Sequence, residues 1–227
     1  MKLIFLNAWN GKIKGPISDY ISERAPTTDI FCFQEAPDEM ITICEPLLAD
    51  FEPYQVRKFI SEYEDFSQLT YVRKNIKVDH SGSVMAREKN CGLGLFVQFE
   101  LEGKQWLVCN VHGIAHPGDK LDNPARIAQS KSLISQFTGK QRVIIGGDFN
   151  LYPETESIGT FKKHGYRDLI EECDIKNTRN RLVWEMYPEN KQYFSDYIFM
   201  TPAVRLEHFG VVENEISDHL PLELTCS

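Results

Sequence analysis

The sequence predicts an α/β fold, because runs with strand character alternate with segments of helical spacing along the whole chain. The strand-like runs are rich in β-branched, aromatic and other apolar residues, which is typical of buried strands. They cover residues 3–8, 29–35, 68–72, 92–101, 106–112, 142–149, 195–200 and 220–225. No long linker, repeat or low-complexity tract interrupts this alternation, so we expect one domain over residues 1–227.

The segments between the strands carry helix start and stop signals. Residues 16–25 open on Pro16, which suits a first helical turn. Residues 38–51 and 123–137 have apolar residues at three- and four-residue intervals, and Asn123 is a suitable N-cap before Pro124. Residues 155–165 end on Gly165, a natural residue just beyond a helix. A hairpin that turns near Gly103 predicts that part of the sheet is antiparallel.

Composition narrows the functional classes. The chain has 227 residues, of which 42% are hydrophobic, and this is enough for a globular core. The formal net charge of -8 disfavours a broad basic face for duplex DNA. A small anionic substrate stays compatible, because a bound cation reverses the local field.

Cysteine spacing and the absence of targeting or membrane-spanning segments bear on location. The six cysteines form no C-x-x-C pair, which disfavours a zinc or disulfide framework. Reduced thiols and no leader or membrane-spanning stretch predict a cytoplasmic protein without membrane attachment. Nothing in the sequence indicates an obligate protein partner.

Polar side chains stand at the ends of the apolar runs. Alternation along an extended strand places Asp148 and Asn150 on one side, and Asn110 and His112 likewise. Turn chemistry explains one such pair, but burying many polar groups is costly unless they serve one another or a ligand. The full set is Asn7, Gln34, Glu35, Asn110, His112, Asp148, Asn150, Asp196, Asp218 and His219.

The motifs "LNAWN", "FQE", "NVHG", "GGDFN", "SDYIF" and "SDHLP", in this order, resemble the endonuclease/exonuclease/phosphatase superfamily. Its members include pancreatic-type deoxyribonuclease, abasic-site endonucleases, neutral sphingomyelinases, inositol polyphosphate 5-phosphatases and deadenylases. The resemblance runs from Asn7 to Pro221. It implies a four-layer α/β sandwich, in which two mixed β-sheets pack face to face with helices outside and the active site lies at one end.

The resemblance also implies a metal site. Glu35 matches the metal-binding glutamate, Asn7 the asparagine beside it, and Asp218 a late metal-binding or water-orienting carboxylate. Oxygen ligands of this kind suit Mg²⁺ or Mn²⁺.

Catalytic and substrate-binding roles follow from the same resemblance. Asp148 would orient or deprotonate the attacking water, and Asn150 would hold a phosphate oxygen. His219 would bind the scissile phosphate, with Asp196 fixing its tautomer. His112 would donate to the phosphate or the leaving oxygen. Contacts to substrate are expected from Asn110, Arg179 and Trp184.

The expected reaction is metal-assisted hydrolysis of a phosphate ester by in-line attack of water. A small soluble phosphodiester or phosphomonoester is the first expectation. The alternatives are a DNA or RNA nuclease, including the abasic-site type, and a catalytically silent phosphate-binding module. A serine hydrolase is disfavoured because no G-x-S-x-G motif occurs. The role of Arg126, as a helix cap or a phosphate contact, stays open at this point, as does that of Trp9 and Asn10.

Overall fold

A computed structural model describes residues 1–61, 64–88 and 91–227. Within these residues, twelve strands form two six-stranded mixed sheets. The strands are β1 Lys2–Asn7, β2 Ile30–Gln34, β3 Phe51–Ser61, β4 Glu64–Arg73, β5 Val78–Val84, β6 Leu93–Leu101, β7 Lys104–His112, β8 Arg142–Asp148, β9 Arg167–Asp168, β10 Asp196–Met200, β11 Leu206–Val211 and β12 Leu222–Cys226. The helices are α1 Lys14–Arg24, α2 Asp38–Cys44, α3 Pro124–Phe137, α4 Glu156–Lys163, α5 Leu169–Glu172 and α6 Arg181–Met186.

Each sheet contains one parallel pair, and these two pairs position the polar strand ends. The first sheet has the order β11-β12-β1-β2-β4-β3, and the second has the order β5-β6-β7-β8-β10-β9. β1 runs parallel to β2, which aligns Asn7 with Gln34, and β7 runs parallel to β8, which aligns His112 with Asp148. The carboxyl ends of parallel strands lie at the same edge of a sheet, so each pair places its polar side chains side by side at such an edge.

The two sheets pack face to face, as the period-2 alternation of their side chains requires. Leu3 and Phe5 of β1 belong to the large core shared with the second sheet, whereas Ile4 and Leu6 belong to a second cluster. That second cluster includes residues of α1 and α2, so these helices cover the outer face of the first sheet. Residues of α3 and α4 pack against the second sheet. Helices therefore flank both sheets, and the four-layer α/β sandwich is confirmed.

An ionic cluster ties β12 to α1 at one side of the first sheet. The Glu223 carboxylate accepts bonds from the Tyr20 hydroxyl at 2.9 Å and from Arg24 Nε at 2.7 Å, and it lies 3.0 Å from Lys2 Nζ. Burial alone would raise the pKa of Glu223, but these three donors hold it below its usual value. The carboxylate is therefore ionised in the folded chain at neutral pH.

Several local predictions are confirmed. β6 and β7 form an antiparallel hairpin in which Gly103 takes a positive φ of 71°. The Asn123 side chain accepts from the Arg126 backbone N–H at 2.9 Å and caps α3. Gly165 lies just beyond α4 with φ 84°. The helix placed from Pro16 begins two residues earlier, at Lys14.

Other predictions are wrong, for physical reasons. The helix expected over residues 38–51 ends at Cys44, because Pro46 follows within two residues and the chain enters β3 at Phe51. β3 itself was missed: it is an edge strand that contains Pro53 and many exposed polar side chains. β5, β9 and β11 were also missed, since they lie at or near sheet edges and lack apolar runs.

Two further expectations concern thiols and membranes. All six cysteines lie in the described ranges and are free, and all but Cys173 are buried. Among the described helices, none combines the length and hydropathy that a bilayer crossing requires.

Candidate active site

The ends of β1, β2, β7 and β8 bring Asn7, Glu35, His112 and Asp148 together. Asn7 Nδ2 lies 3.0 Å from Glu35 Oε1 and 3.0 Å from Asp148 Oδ2, so one amide bridges two carboxylates from different sheets. Asn7 Oδ1 accepts the backbone N–H of Trp9 at 3.0 Å, which fixes the orientation of the amide. Asn7 thus presents its nitrogen to the site and not the oxygen that a metal would need.

Glu35 is the carboxylate of this group that reaches solvent. It follows β2 with a positive φ of 46°, and its side chain is 27% exposed. The Asn10 backbone N–H donates to the Glu35 carbonyl oxygen at 3.0 Å, and Asn10 Nδ2 lies 3.4 Å from Glu35 Oε2. Asn10 therefore supports Glu35, whereas Trp9 is half-buried with Lys12 stacked 4.1 Å from its ring centroid.

His112 faces the same two carboxylates. Its Nε2 lies 4.0 Å from Glu35 Oε1 and 3.8 Å from Asp148 Oδ2. The Phe66 ring packs edge-on against the imidazole at 4.8 Å, and His112 Nδ1 is buried with no partner among the described residues. One ligand atom each from Glu35, His112 and Asp148 fits within 4.8 Å of the others, so this cluster can hold a metal ion.

Asp148 lies at the centre of the site. Its Oδ1 accepts the Asn150 backbone N–H at 2.9 Å and the Ser195 hydroxyl at 2.6 Å. Its Oδ2 lies 3.6 Å from His219 Nε2. Burial alone would raise the pKa of Asp148, but His219 and Lys120 outweigh it and hold that pKa well below the usual range. The carboxylate is therefore ionised.

The buried pair of His219 and Asp196 adjoins Asp148. His219 Nδ1 lies 2.9 Å from each oxygen of Asp196, and the Asp196 backbone N–H donates to Thr178 Oγ1 at 3.1 Å. Burial, followed by the charge of Asp148, raises the pKa of Asp196. Burial likewise lowers the pKa of His219 to about 4. We assign the shared proton to the Nδ1–carboxylate bond, which leaves Nε2 facing the site.

Two sets of side chains bring ligand atoms within 4.8 Å of one another, Glu35 with His112 and Asp148, and Asp148 with Asp196 and His219. Asp218 belongs to neither set. Its Oδ2 is paired with Arg179 at 2.6 Å, and its carbonyl oxygen accepts Arg179 Nε at 3.1 Å. Both side chains are buried. The carboxylate of Asp218 is engaged by Arg179, so its contacts do not support the expectation that it binds the metal directly.

Lys120 and Ser195 are site residues that the sequence did not reveal. The Lys120 side chain is buried, and its Nζ lies 2.6 Å from Ser195 Oγ and 3.2 Å from Asn150 Oδ1. A lysine in a loop of Gly, Pro and Asp residues is normally exposed, and its sequence context carries no periodic signal. Only the fold shows where it points.

Asn110 requires a correction. Its amide nitrogen bonds the carbonyl oxygens of Phe33 at 3.0 Å and Leu69 at 3.3 Å, and its Oδ1 accepts from Gln34 Nε2 at 2.6 Å. The residue is fully buried between the sheets. The alternation was right about its face, but its position one pleat below His112 makes it a cross-link between the sheets and leaves no polar atom for substrate.

A cavity of about 540 Å³ lies beside the site. It is lined by Gly118, Asp119, Arg179, Val183, Tyr187, Asn190 and Gln192. Trp184 supports its wall: the indole N–H donates to the Gln192 carbonyl oxygen at 3.1 Å, and its ring packs 5.1 Å from Tyr193. Arg181, in contrast, is exposed and pairs with Glu185 and Glu215.

Two residues shape the loop that follows β7. Arg126 is fully buried and donates to Asp119 Oδ1 at 2.9 Å and to the Leu121 carbonyl oxygen at 2.5 Å, so it anchors the loop and does not face a phosphate site. Gly113 passes so close to Phe149 that a Cβ would lie 2.4 Å from its carbonyl oxygen. Only glycine fits between the ends of β7 and β8.

Comparisons with known proteins bear on the family and the fold of the chain. The sequence profile of the Endonuclease/Exonuclease/phosphatase family matches residues 4–219. The curated proteins include no match to this chain.

Solved structures share the fold. An endonuclease/exonuclease/phosphatase from Bacteroides vulgatus superposes with a TM-score of 0.80 and 16% identity, over 100% of this chain and 98% of that chain. The mannosyl-6-phosphatase Bt3783 of Bacteroides thetaiotaomicron VPI-5482 gives 0.73 and 17%, over 100% and 99%. D. rerio TDP2 complexed with single strand DNA product gives 0.73 and 14%, over 100% and 98%.

These similarities have different weights. At such identities the structures show a common fold, whereas the profile match covers nearly the whole chain. The matched range includes every polar strand end from Asn7 to His219. The chain therefore belongs to the endonuclease/exonuclease/phosphatase family, whose members are phosphoesterases and nucleases.

Proposed function

We propose that this protein is a divalent-metal-dependent phosphoesterase that hydrolyses a small soluble phosphodiester or phosphomonoester by in-line attack of water. The observation that carries the proposal is the convergence of Glu35, His112, Asp148 and His219 at one edge of the sandwich. Acidic and imidazole groups of this kind serve metal binding, proton transfer and phosphate binding in a single site.

The metal would be held chiefly by the Glu35 carboxylate, and Asp148 Oδ2 beside it would act on water. Glu35 Oε1 and Asp148 Oδ2 both contact Asn7 Nδ2 at 3.0 Å, so the bridging amide keeps two anionic oxygens close together. The hard, partly exposed carboxylate oxygen of Glu35 fits Mg²⁺ or Mn²⁺, with water completing the shell. When bound, the cation would neutralise phosphate charge and favour ionisation of a water molecule.

The protein's own groups would divide the remaining work. Asp148 is ionised and would orient and deprotonate the attacking water through Oδ2. His219 would bind a phosphate oxygen once its Nε2 carries a proton, while the Asp196 carboxylate accepts from the Nδ1–H. Asn150 would donate from its amide nitrogen to a second phosphate oxygen.

His112 would act on the leaving side. Its Nε2 points toward two carboxylates, which favours a proton on that nitrogen. An Nε2–H in this place would donate to the phosphate or to the leaving oxygen. The edge-on Phe66 ring and the burial of Nδ1 would keep the imidazole in this orientation.

A small substrate is supported by charge and by shape. The net charge of -8 offers no broad basic track for a nucleic-acid backbone. The adjoining cavity of about 540 Å³ has the volume of a small-molecule pocket, and Arg179 lies in its lining. The structural similarity to a mannosyl-6-phosphatase makes sugar phosphates the first substrates to test.

Nuclease activity is the second candidate. The observation that favours it is the shared fold with TDP2, whose structure contains a single strand DNA product. A short single strand would need fewer cationic contacts than a duplex, so the acidic balance of the chain disfavours it less.

Hydrolysis by the purified protein tests both candidates. The panel contains bis-p-nitrophenyl phosphate, p-nitrophenyl phosphate, mannose 6-phosphate, a single-stranded oligonucleotide and supercoiled plasmid, each with Mg²⁺, Mn²⁺ or EDTA. We expect turnover that EDTA abolishes, and a fall in kcat of about 10²–10⁴-fold in Asp148→Asn and Glu35→Gln.

Glu207→Gln is the matched control, because Glu207 is an exposed carboxylate on β11, an edge strand of the first sheet. It should hydrolyse the best substrate at the wild-type rate. Turnover that persists in EDTA, or that survives in Asp148→Asn, would overturn the proposal. No turnover on any substrate would favour the phosphate-binding alternative, which isothermal titration with inorganic phosphate would then test.

A further inference from the structure

Lys120 is a buried cation in the site to which the mechanism above assigns no role. It lies in the loop between β7 and α3, has 3% exposure and takes a positive φ of 55°. Its backbone carbonyl accepts the Tyr152 N–H at 3.0 Å, which fastens the loop beside the end of β8. Burying a lysine is unfavourable unless its charge is used, so this placement needs an explanation.

The donors and acceptors around Lys120 can have only one arrangement. An ammonium group has three donors and no acceptor, so its 2.6 Å contact with Ser195 uses an oxygen lone pair of that hydroxyl. The Ser195 hydrogen is then free to donate to Asp148 Oδ1, which lies 2.6 Å away. The same argument makes Asn150 accept through Oδ1, at 3.2 Å from Lys120.

This arrangement makes the two oxygens of Asp148 different. Oδ1 accepts both the Ser195 hydroxyl and the Asn150 backbone N–H, at 2.6 and 2.9 Å. Oδ2 has the Asn7 amide at 3.0 Å and faces His112 and His219 at 3.8 and 3.6 Å. Oδ1 is saturated by the scaffold, and Oδ2 is left to act on a ligand.

We propose that Lys120 is a positioning residue that, through Ser195 and Asn150, directs Asp148 Oδ2 and the Asn150 amide nitrogen toward the substrate. The inference deepens the proposed phosphoesterase function and rests on it. With Asn150 Oδ1 bound to the ammonium, its Nδ2 keeps only a 3.4 Å contact with the Gly113 carbonyl oxygen. That nitrogen is the donor available to a phosphate oxygen.

Lys120 acts as a cation at neutral pH. Burial lowers its pKa to about 8, and the carboxylate of Asp148 opposes that shift. Arg179, Asp196 and Asp218 also surround it, so the ammonium lies among both signs of charge. A neutral side chain of the same length would lose the directing bonds.

The test replaces Lys120 with Met, which keeps the length and removes every donor. We expect kcat on the best substrate to fall by about 30–100-fold, because orientation is lost while the base remains. KM should change by less than about threefold. The Tm of the metal-free protein should fall, because the buried Asp148 carboxylate loses a neighbouring cation. Lys163→Met, at an exposed lysine ending α4, is the matched control and should leave kcat and Tm unchanged.

Ser195 gives an independent check of the route. Ser195→Ala should lower kcat to a similar extent, and Ser195→Thr should keep most of the wild-type kcat because the hydroxyl is kept. The double variant of Lys120→Met with Ser195→Ala should have a kcat no lower than that of Lys120→Met alone. Additive losses in the double variant would overturn the proposal, since the two residues would then act separately.

Failure of this inference differs from failure of the proposed function. If wild type hydrolyses a substrate and Lys120→Met matches its kcat, only the positioning role is wrong. If wild type hydrolyses nothing, the proposed function fails, and the positioning role, which rests on it, fails as well.

Discussion

Replacing Asn110 with Ala removes the hydrogen-bonded cross-link between the two sheets. The side chain makes two short bonds, from Gln34 Nε2 at 2.6 Å and to the Phe33 carbonyl oxygen at 3.0 Å, and two longer ones at 3.3 Å. A buried hydrogen bond contributes about 0.5–1.5 kcal/mol net, and leaving a partner unpaired costs about 1–3 kcal/mol. The Gln34 amide keeps a bond to the Cys32 carbonyl oxygen at 3.2 Å, which limits the second cost.

We therefore expect Asn110→Ala to lower the free energy of unfolding by about 2–4 kcal/mol. In a protein of this length that corresponds to a fall in Tm of roughly 5–12 °C. Urea unfolding followed by circular dichroism measures the first quantity, and differential scanning calorimetry the second. The urea m-value should stay unchanged, because the surface exposed on unfolding is nearly the same.

Gln105→Ala is the matched control, since Gln105 is an exposed amide on the same strand. It should change the free energy of unfolding by less than about 0.5 kcal/mol. A loss of under about 0.5 kcal/mol in Asn110→Ala would refute the assignment of Asn110 as a cross-link. If kcat then fell in a variant of wild-type stability, the earlier expectation of a substrate contact would be restored.

Three more outcomes are expected. In urea unfolding, Glu223→Gln should lower the free energy of unfolding by about 1–2 kcal/mol at pH 7 and by almost nothing at pH 3. The reason is that a carboxylate whose folded pKa is depressed stabilises the fold above its unfolded pKa of about 4.3 and loses that contribution as pH falls. An equal loss at both pH values would exclude the ionic origin. Gly113→Ala should unfold at a lower temperature than wild type, since its Cβ would collide with backbone, whereas Gly118→Ala, with nothing within 4 Å, should not; equal Tm values for the two variants would contradict the close approach. Asn7→Asp should destabilise the metal-free protein by about 2 kcal/mol or more, because a third carboxylate replaces the amide that bridges two carboxylates. Added Mn²⁺ should raise the Tm of Asn7→Asp more than that of wild type or of Asn7→Ala. A rise in Tm no larger than that of wild type would argue against the bridge.

The sequence predicts the site residues that depend on strand period. Asn7, His112 and Asp148 each end an apolar run, and a period of two fixes the side of the sheet on which they lie. Parallel pairing then brings them to one edge. The face on which each side chain lies can be read from the sequence, because it depends only on the alternation of residues within one strand.

The alternation within a strand does not predict how deeply a side chain is buried or which distant residue it contacts. Asn110 shares the face of His112, yet it lies two residues deeper along β7 and is enclosed by the facing sheet. The pairing of Asp218 with Arg179 joins residues 39 apart in the chain. Lys120 meets Ser195 across 75 residues. Contacts of this kind follow from sheet order, which the sequence pattern left open.

The packing of the two sheets also governs the thiol chemistry of the chain. Cys32 and Cys109 lie fully buried between the sheets, and burial raises the pKa of both thiols. A thiolate is the form that alkylating reagents and peroxides attack, so neither sulfur reacts until the sheets separate. Cys173 is the least buried of the six thiols. The rate at which Cys32 and Cys109 become modified therefore measures separation of the two sheets, and this measurement requires no substrate.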